Sequence, residues 1–218
     1  MLKGIVFDFD GVILETIDVK KEAFRKLFAD SEYVDDIVKY HMENGGLSRY
    51  RKFEYIYKNF LQKTLSAEQS SELGKMFRDY ALAGVLKAEF VDGALEFLGK
   101  HHKLLNLFVA SGTPHEEMIE VVERRDLKSY FRQVFGSPAT KAEILTGIMS
   151  KYGLLATELI FVGDALTDYY GAAEAGVPFV GRINPDYGNP FEGLKVTALI
   201  KDLKELDQYV LRNYTLVR

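Results

Sequence analysis

Four short, uninterrupted apolar runs limit what this chain can fold into. They are Gly4-Ile5-Val6-Phe7-Asp8-Phe9, Leu107-Phe108-Val109-Ala110, Leu159-Ile160-Phe161-Val162-Gly163 and Val177-Pro178-Phe179-Val180; Gln133-Val134-Phe135-Gly136 adds a weaker fifth. A strand with one wet face alternates apolar and polar residues, whereas a run that is apolar at every position suits a parallel strand covered on both faces. Helical spacing fills the gaps, as in Met118, Ile119 and Val122, and in Ile144, Leu145, Ile148, Met149 and Tyr152. From residue 91 onward strands alternate with helices, which indicates an α/β fold with a parallel sheet and crossover helices in three layers.

The stretch 15–88 breaks the alternation. Its apolar residues recur at three and four: Phe24, Leu27, Phe28; Val34, Ile37, Val38, His41; Phe53, Ile56, Tyr57, Phe60; Leu73, Met76, Phe77, Tyr80. A turn at Glu43-Asn44-Gly45-Gly46-Leu47-Ser48 interrupts the pattern. The expected organisation is a core of residues 1–14 and 89–218 with a helical module, 15–88, inserted after the first strand. A length of 218 residues suits one large domain or a core with a modest insert.

Composition removes several function classes. The chain has 28 Lys and Arg against 32 Asp and Glu, a net charge of −4, so a chain-wide basic footprint for nucleic acid is absent. There is no Cys, which excludes disulfides, zinc–thiolate sites and cysteine nucleophiles. No apolar run approaches the ~18–20 residues that span a bilayer. The expectation is a cytoplasmic protein with no nucleic-acid or membrane partner.

In an open parallel sheet, ligands bind beyond the C-terminal ends of the strands. Asp8 and Asp10 end the first run, Ser111 and Gly112 follow the second, Lys141 opens the helix after the third strand, and Asp164 ends the fourth, with Asp168 one helical turn on. Two carboxylates so close repel unless a cation joins them, and a hard ion such as Mg2+ takes oxygen ligands of this kind. Each piece also has a plain structural reading: Asp-Gly as a turn, Asp164 or Thr167 as a helix cap, Ser111 to Pro114 as a helix start, Lys141 as a solvated charge.

The order of the pieces is more specific than any one of them. Asp8-Phe9-Asp10-Gly11, Ser111, Lys141, and Gly163-Asp164 with Asp168 match, in sequence, the four signatures of the haloacid dehalogenase-like hydrolase superfamily. The whole chain resembles its phosphatase and β-phosphoglucomutase-like branch, with phosphoglycolate phosphatases among the nearest in pattern. The resemblance implies a Rossmann-like core with a helical cap. It implies Asp8 as a nucleophile forming an aspartyl-phosphate, and Asp10 as the acid and then the base. It further implies Mg2+ held by Asp8, the carbonyl of Asp10, Asp164 and, directly or through water, Asp168. Ser111, Gly112 and Lys141 would hold the phosphoryl oxygens. The second Asp argues against dehalogenation, since a halide leaves without a proton.

The implied substrate is a small phosphorylated metabolite, phosphoglycolate-like or a sugar phosphate, with Lys20, Gly46 and Arg49 as cap-side contacts. Phosphosugar mutases of the β type carry a His near the position of Lys20, a departure that weakens the mutase alternative. The remaining alternative is a non-catalytic binding protein on the same fold. The four His residues form no spaced metal set.

Overall fold

The computed structural model describes residues 1–215. Its sheet has six strands: β1 (Gly4–Phe7), β2 (Asn106–Pro114), β3 (Gln133–Ser137), β4 (Leu159–Gly163), β5 (Phe179–Arg182) and β6 (Ala198–Ile200). They lie in the order β3-β2-β1-β4-β5-β6, and every pairing is parallel. β1 is central, in register with Asn106–Val109 on one side and Leu159–Val162 on the other. After β3 the chain returns across β1 to lay down β4, so the order reverses there, and a crevice opens at the strand ends.

The all-apolar strands do serve both faces. Ile5, Phe7, Leu107, Val109, Ile160 and Val162 face one cluster; Val6, Phe108, Ala110 and Phe161 face the other. The first face is covered by α5 (Ala94–His101), α6 (His115–Arg124) and α9 (Leu203–Asn213), the second by α7 (Lys141–Tyr152) and α8 (Leu166–Ala175). Four further helices follow β1: α1 (Ile17–Leu27), α2 (Val34–Glu43), α3 (Arg49–Asn59) and α4 (Ala67–Val85). Phe24, Phe53 and Phe77 form the aromatic centre of this group, with Phe24 and Phe77 edge to face at 4.8 Å. No described helix is long and apolar enough to cross a membrane.

Two features differ from the sequence reading. β6 is a sixth strand where none was expected; its apolar run, Ala198-Leu199-Ile200, is only three residues long and lies at the sheet edge. β2 runs on to Pro114 instead of ending before Ser111, but its register with β3 shifts between Ala110 and Pro114. Ser111 therefore sits in a strand that has left regular pairing.

Candidate active site

The strand ends at the crevice place the polar residues. Asp8 follows β1, and its N–H donates to Val162 O of β4 at 2.8 Å. The chain then turns at Gly11, whose φ of 72° is left-handed and where a Cβ would run into the Asp164 carboxylate. Only glycine suits both demands. Asp164 stands one residue beyond β4. Lys141 is the first residue of α7, whose start is fixed by a reciprocal cap between Thr140 and Glu143.

Lys141 is the hub of a buried charge cluster. Its ammonium donates to Ala110 O at 2.6 Å and lies 2.9 Å from Asp8 Oδ1. It is also 2.8 Å from Asp168 Oδ1, close enough for a Coulomb pair but off the line of a hydrogen bond. That oxygen is buried and has no hydrogen-bond partner. Burial pushes the Asp8 carboxyl up to about 7; Lys141 opposes the rise, and Asp168 and Asp10 add to it. Burial, then Asp8 and Asp168, push Asp164 well above the usual carboxylate range. Burial pulls on Lys141 in the opposite sense, yet Asp168 and Asp8 together raise it above an ordinary lysine.

Asp8, Asp164 and Asp168 each offer an oxygen within 4.8 Å of the others'. Three hard oxygen donors, one with an orphaned atom, fit a divalent cation with a preference for oxygen. Burial and mutual repulsion favour the protonated forms of Asp8 and Asp164, a cost that a bound cation would remove.

Asp10 lives in a different field. Thr16 Oγ1 donates to its Oδ1 at 2.7 Å, while Lys20 Nζ (2.5 Å) and Thr113 Oγ1 (3.2 Å) donate to its Oδ2. Burial alone would raise its carboxyl, but Lys20 and these hydrogen bonds hold it below the usual range. Ser111 Oγ is 3.5 Å from the same Oδ2 and accepts from Thr113 N at 3.1 Å. Neighbouring carboxylates are thus driven apart, Asp8 and Asp164 toward the protonated form and Asp10 toward the ionised one.

Above these groups is a cavity of ≈ 380 Å³ between the sheet ends and helices α1–α4. Asp8, Asp10, Lys20, Gly112, Thr113 and Asp164 line its floor. Ser111, Lys141 and Asp168 are buried behind that wall. The α2–α3 turn closes one side. Thr167 Oγ1 donates to Gly45 O at 2.7 Å, and Gly46 O packs so tightly on Gly112 that a Cβ there would strike it. Arg49 lines the cavity, but its guanidinium lies 4.5 Å over Phe77 and 2.7 Å from Glu117 Oε1 of α6.

Sequence reasoning did not single out several residues that shape this site. Thr113 joins Thr16 in holding Asp10, and the Thr113 hydroxyl carried no distinguishing pattern. Asn184, Tyr187 and Pro190, read as a surface loop after β5, line the cavity. His41 and Lys52, on α2 and α3, do so too. The Tyr187 hydroxyl lowers the nearby Asp18 carboxyl.

The family model described as haloacid dehalogenase-like hydrolase matches residues 5–182, from β1 to the end of β5. The chain belongs to that family. Among haloacid dehalogenase-like and related proteins, it is similar to a phosphoglycolate phosphatase of Aliivibrio fischeri, 25% identical over 94% of this chain and 95% of the relative. It is also similar to a phosphorylated carbohydrates phosphatase of Thermotoga maritima, 26% identical over 81% of this chain and 82% of the relative. In fold it resembles a haloacid dehalogenase-like family hydrolase from Streptococcus pneumoniae. The TM-score is 0.74 at 19% identity, covering 95% of this chain and 98% of that one.

Proposed function

We propose that this hydrolase is a Mg2+-dependent phosphatase that cleaves a small phosphomonoester through an aspartyl-phosphate. The observation that carries the reading is the convergence of Asp8, Asp10, Asp164 and Gly112 on the floor of one cavity, with Lys141 and Asp168 directly behind Asp8. The phosphatase names of the similar proteins support it.

In the first half-reaction an Asp8 carboxylate oxygen attacks phosphorus. The phosphorus–ester oxygen bond breaks, and its electron pair leaves on the alcohol oxygen, which takes a proton from Asp10. Asp10 is ionised before substrate arrives. A phosphate dianion placed beside it raises its proton affinity against the pull of Lys20, and Asp10 takes up a proton from solvent as the substrate binds. In the second half Asp10 takes a proton from water, whose oxygen attacks the aspartyl-phosphate. Asp8 leaves as a carboxylate with inorganic phosphate, so the net change is ester plus water to alcohol plus phosphate.

The backbone N–H of Gly112 and the Ser111 hydroxyl are the donors for the phosphoryl oxygens, and Lys141 contributes its charge from behind. Mg2+, held by Asp8, Asp164, Asp168 and the Asp10 carbonyl, would supply the positive charge that lets an anionic carboxylate approach an anionic phosphate. Residues 15–88 act as the cap that excludes water, with residues 1–14 and 89–218 as the catalytic core.

A screen of phosphate monoesters with Mg2+ and with EDTA tests the reading. Phosphate release that needs the metal is the expected result. Metal-independent release, or none across the panel, overturns it. Release of an isomerised sugar phosphate instead of phosphate would make the chain a mutase.

A further inference from the structure

We propose that the substrate carries a second anionic group, borne on an apolar body, and that Lys52 on the cap wall receives it. This rests on the phosphatase reading and goes beyond it by naming the residue and substrate class.

Lys52 is buried, with 3% of its surface exposed, yet it borders the cavity. Two of its three N–H donors are used on one residue: His41 Nδ1 accepts at 2.9 Å and His41 O at 3.1 Å. The third has no partner among the described residues, and no carboxylate lies within ion-pair distance. Among the described residues the other buried Lys and Arg side chains are all matched: Arg49 by Glu117, Lys141 by Asp8 and Asp168, Arg182 by Glu15. Buried lysines are rare unless paired, because an ammonium out of water without an anion is costly. A lysine that faces a ligand cavity and lacks an internal anion is completed by the ligand.

Burial, together with the nearby charge of Lys20, pulls the Lys52 ammonium down to about 7. Burial likewise holds His41 well below an ordinary histidine, hence neutral and able to accept. Arg49, the residue that sequence pattern favoured for this task, spends its charge on Glu117.

The rest of the cap wall describes the body of the substrate. Ile17, Phe24, Met42, Leu47 and Phe77 line it, and its other polar groups are engaged or turned to solvent: Lys20 on Asp10 and Thr113, His41 on Lys52, Arg49 on Glu117, with the Glu43 side chain 62% exposed. A polyhydroxylated sugar buried against this wall would find few free partners for its hydroxyls. An apolar body with an acid at its far end meets both parts of the surface.

The test is a matched set in Mg2+: phenyl phosphate, carboxyphenyl and carboxyethylphenyl phosphates, hydroquinone bisphosphate, and glucose 6-phosphate. The expected result is a kcat/KM for at least one acid-bearing ester that exceeds phenyl phosphate by roughly 10- to 100-fold, the usual range for one charge-assisted bond. The carboxylate and bisphosphate arms tell which acid is preferred. In Lys52→Met, checked for folding by its melting curve, that ratio should collapse toward one; Lys52→Gln serves if the Met variant does not fold. Equal turnover of phenyl phosphate and every acid-bearing ester by the unaltered protein overturns the inference, as does a ratio that survives the substitution. Hydrolysis of none of the set overturns the phosphatase reading instead.

Discussion

Replacing Lys141 by Met exposes what holds the active site together. The lysine is 6% exposed and lies 2.9 and 2.8 Å from Asp8 and Asp168. At those separations and an effective dielectric near 20, each pair is worth ~6 kcal/mol of Coulomb energy before desolvation is subtracted. Removing one partner of a buried pair typically costs about 3–5 kcal/mol, because the remaining charges stay behind uncompensated. Methionine keeps most of the volume, so packing adds only a little, about 1 kcal/mol or less. For a chain of this size, about 2–4 °C of melting temperature accompanies each kcal/mol, which gives a fall of about 6–20 °C. The assay is thermal unfolding at pH 8 in EDTA, above the value of about 7 at which Asp8 ionises. Repeating it with Mg2+ should raise the melting temperature of the variant more than that of the unaltered protein, because the cation replaces the missing charge. A variant that melts within about 2 °C of the parent in EDTA, or an equal Mg2+ shift in both, would show that Lys141 does not hold the carboxylates.

Three other outcomes follow from named contacts. Asp8→Asn should lower phenyl phosphate turnover at least ~1000-fold while the protein stays folded, and full activity would sink the nucleophile assignment. Gly112→Ala should push the Gly46 carbonyl off the core and lower kcat/KM about 100-fold, with the melting temperature nearly constant; unchanged kinetics would mean that this contact is absent in the working enzyme. Lys52 titrates near 7 when folded against 10.5 for a free lysine, so between those values the unfolded chain binds the extra proton and folding stability rises with pH. Urea unfolding at pH 7 and pH 9.5 should show the parent gaining ~3 kcal/mol relative to Lys52→Met. The charges that face Lys52 are Lys20, which reinforces its low value, and Asp10, which opposes it; His41 is neutral. A gap that does not change with pH would mean that Lys52 is not desolvated.

The parallel sheet was legible because β1, β4 and the middle of β2 are apolar at successive positions, a pattern that two-sided burial explains. The placement of Asp8, Asp10, Ser111, Lys141 and Asp164 was legible for a related reason: each follows a recognisable strand, and strand ends converge. β6 was not, since three edge residues bury too little to leave a pattern. His41 was read as one position of an apolar helix stripe, which it is, stacked 4.0 Å from Phe24; its contact with Lys52 depends on how α2 packs on α3. The Arg49–Glu117 pair joins residues 68 apart, and no local pattern announces such a meeting. Spacing along the chain located the strand-end polar residues, while the partner of each charge on helices α1–α4 was decided by packing between elements.

The register of β1 has a consequence for how the molecule is made. Its partners are Asn106–Val109 and Leu159–Val162, all of which leave the ribosome long after Gly4–Phe7. At ~5–20 residues per second, about a hundred residues of delay is roughly 5–20 s. During that interval a strand that ends up buried at every position has no partner, while helices α1–α4, built from local contacts, can already form beside it. Lys3, Asp8 and Asp10 flank the apolar run closely, and flanking charges of this kind discourage strand-to-strand aggregation. The two aspartates at the end of β1 would therefore serve the nascent chain as well as the folded protein.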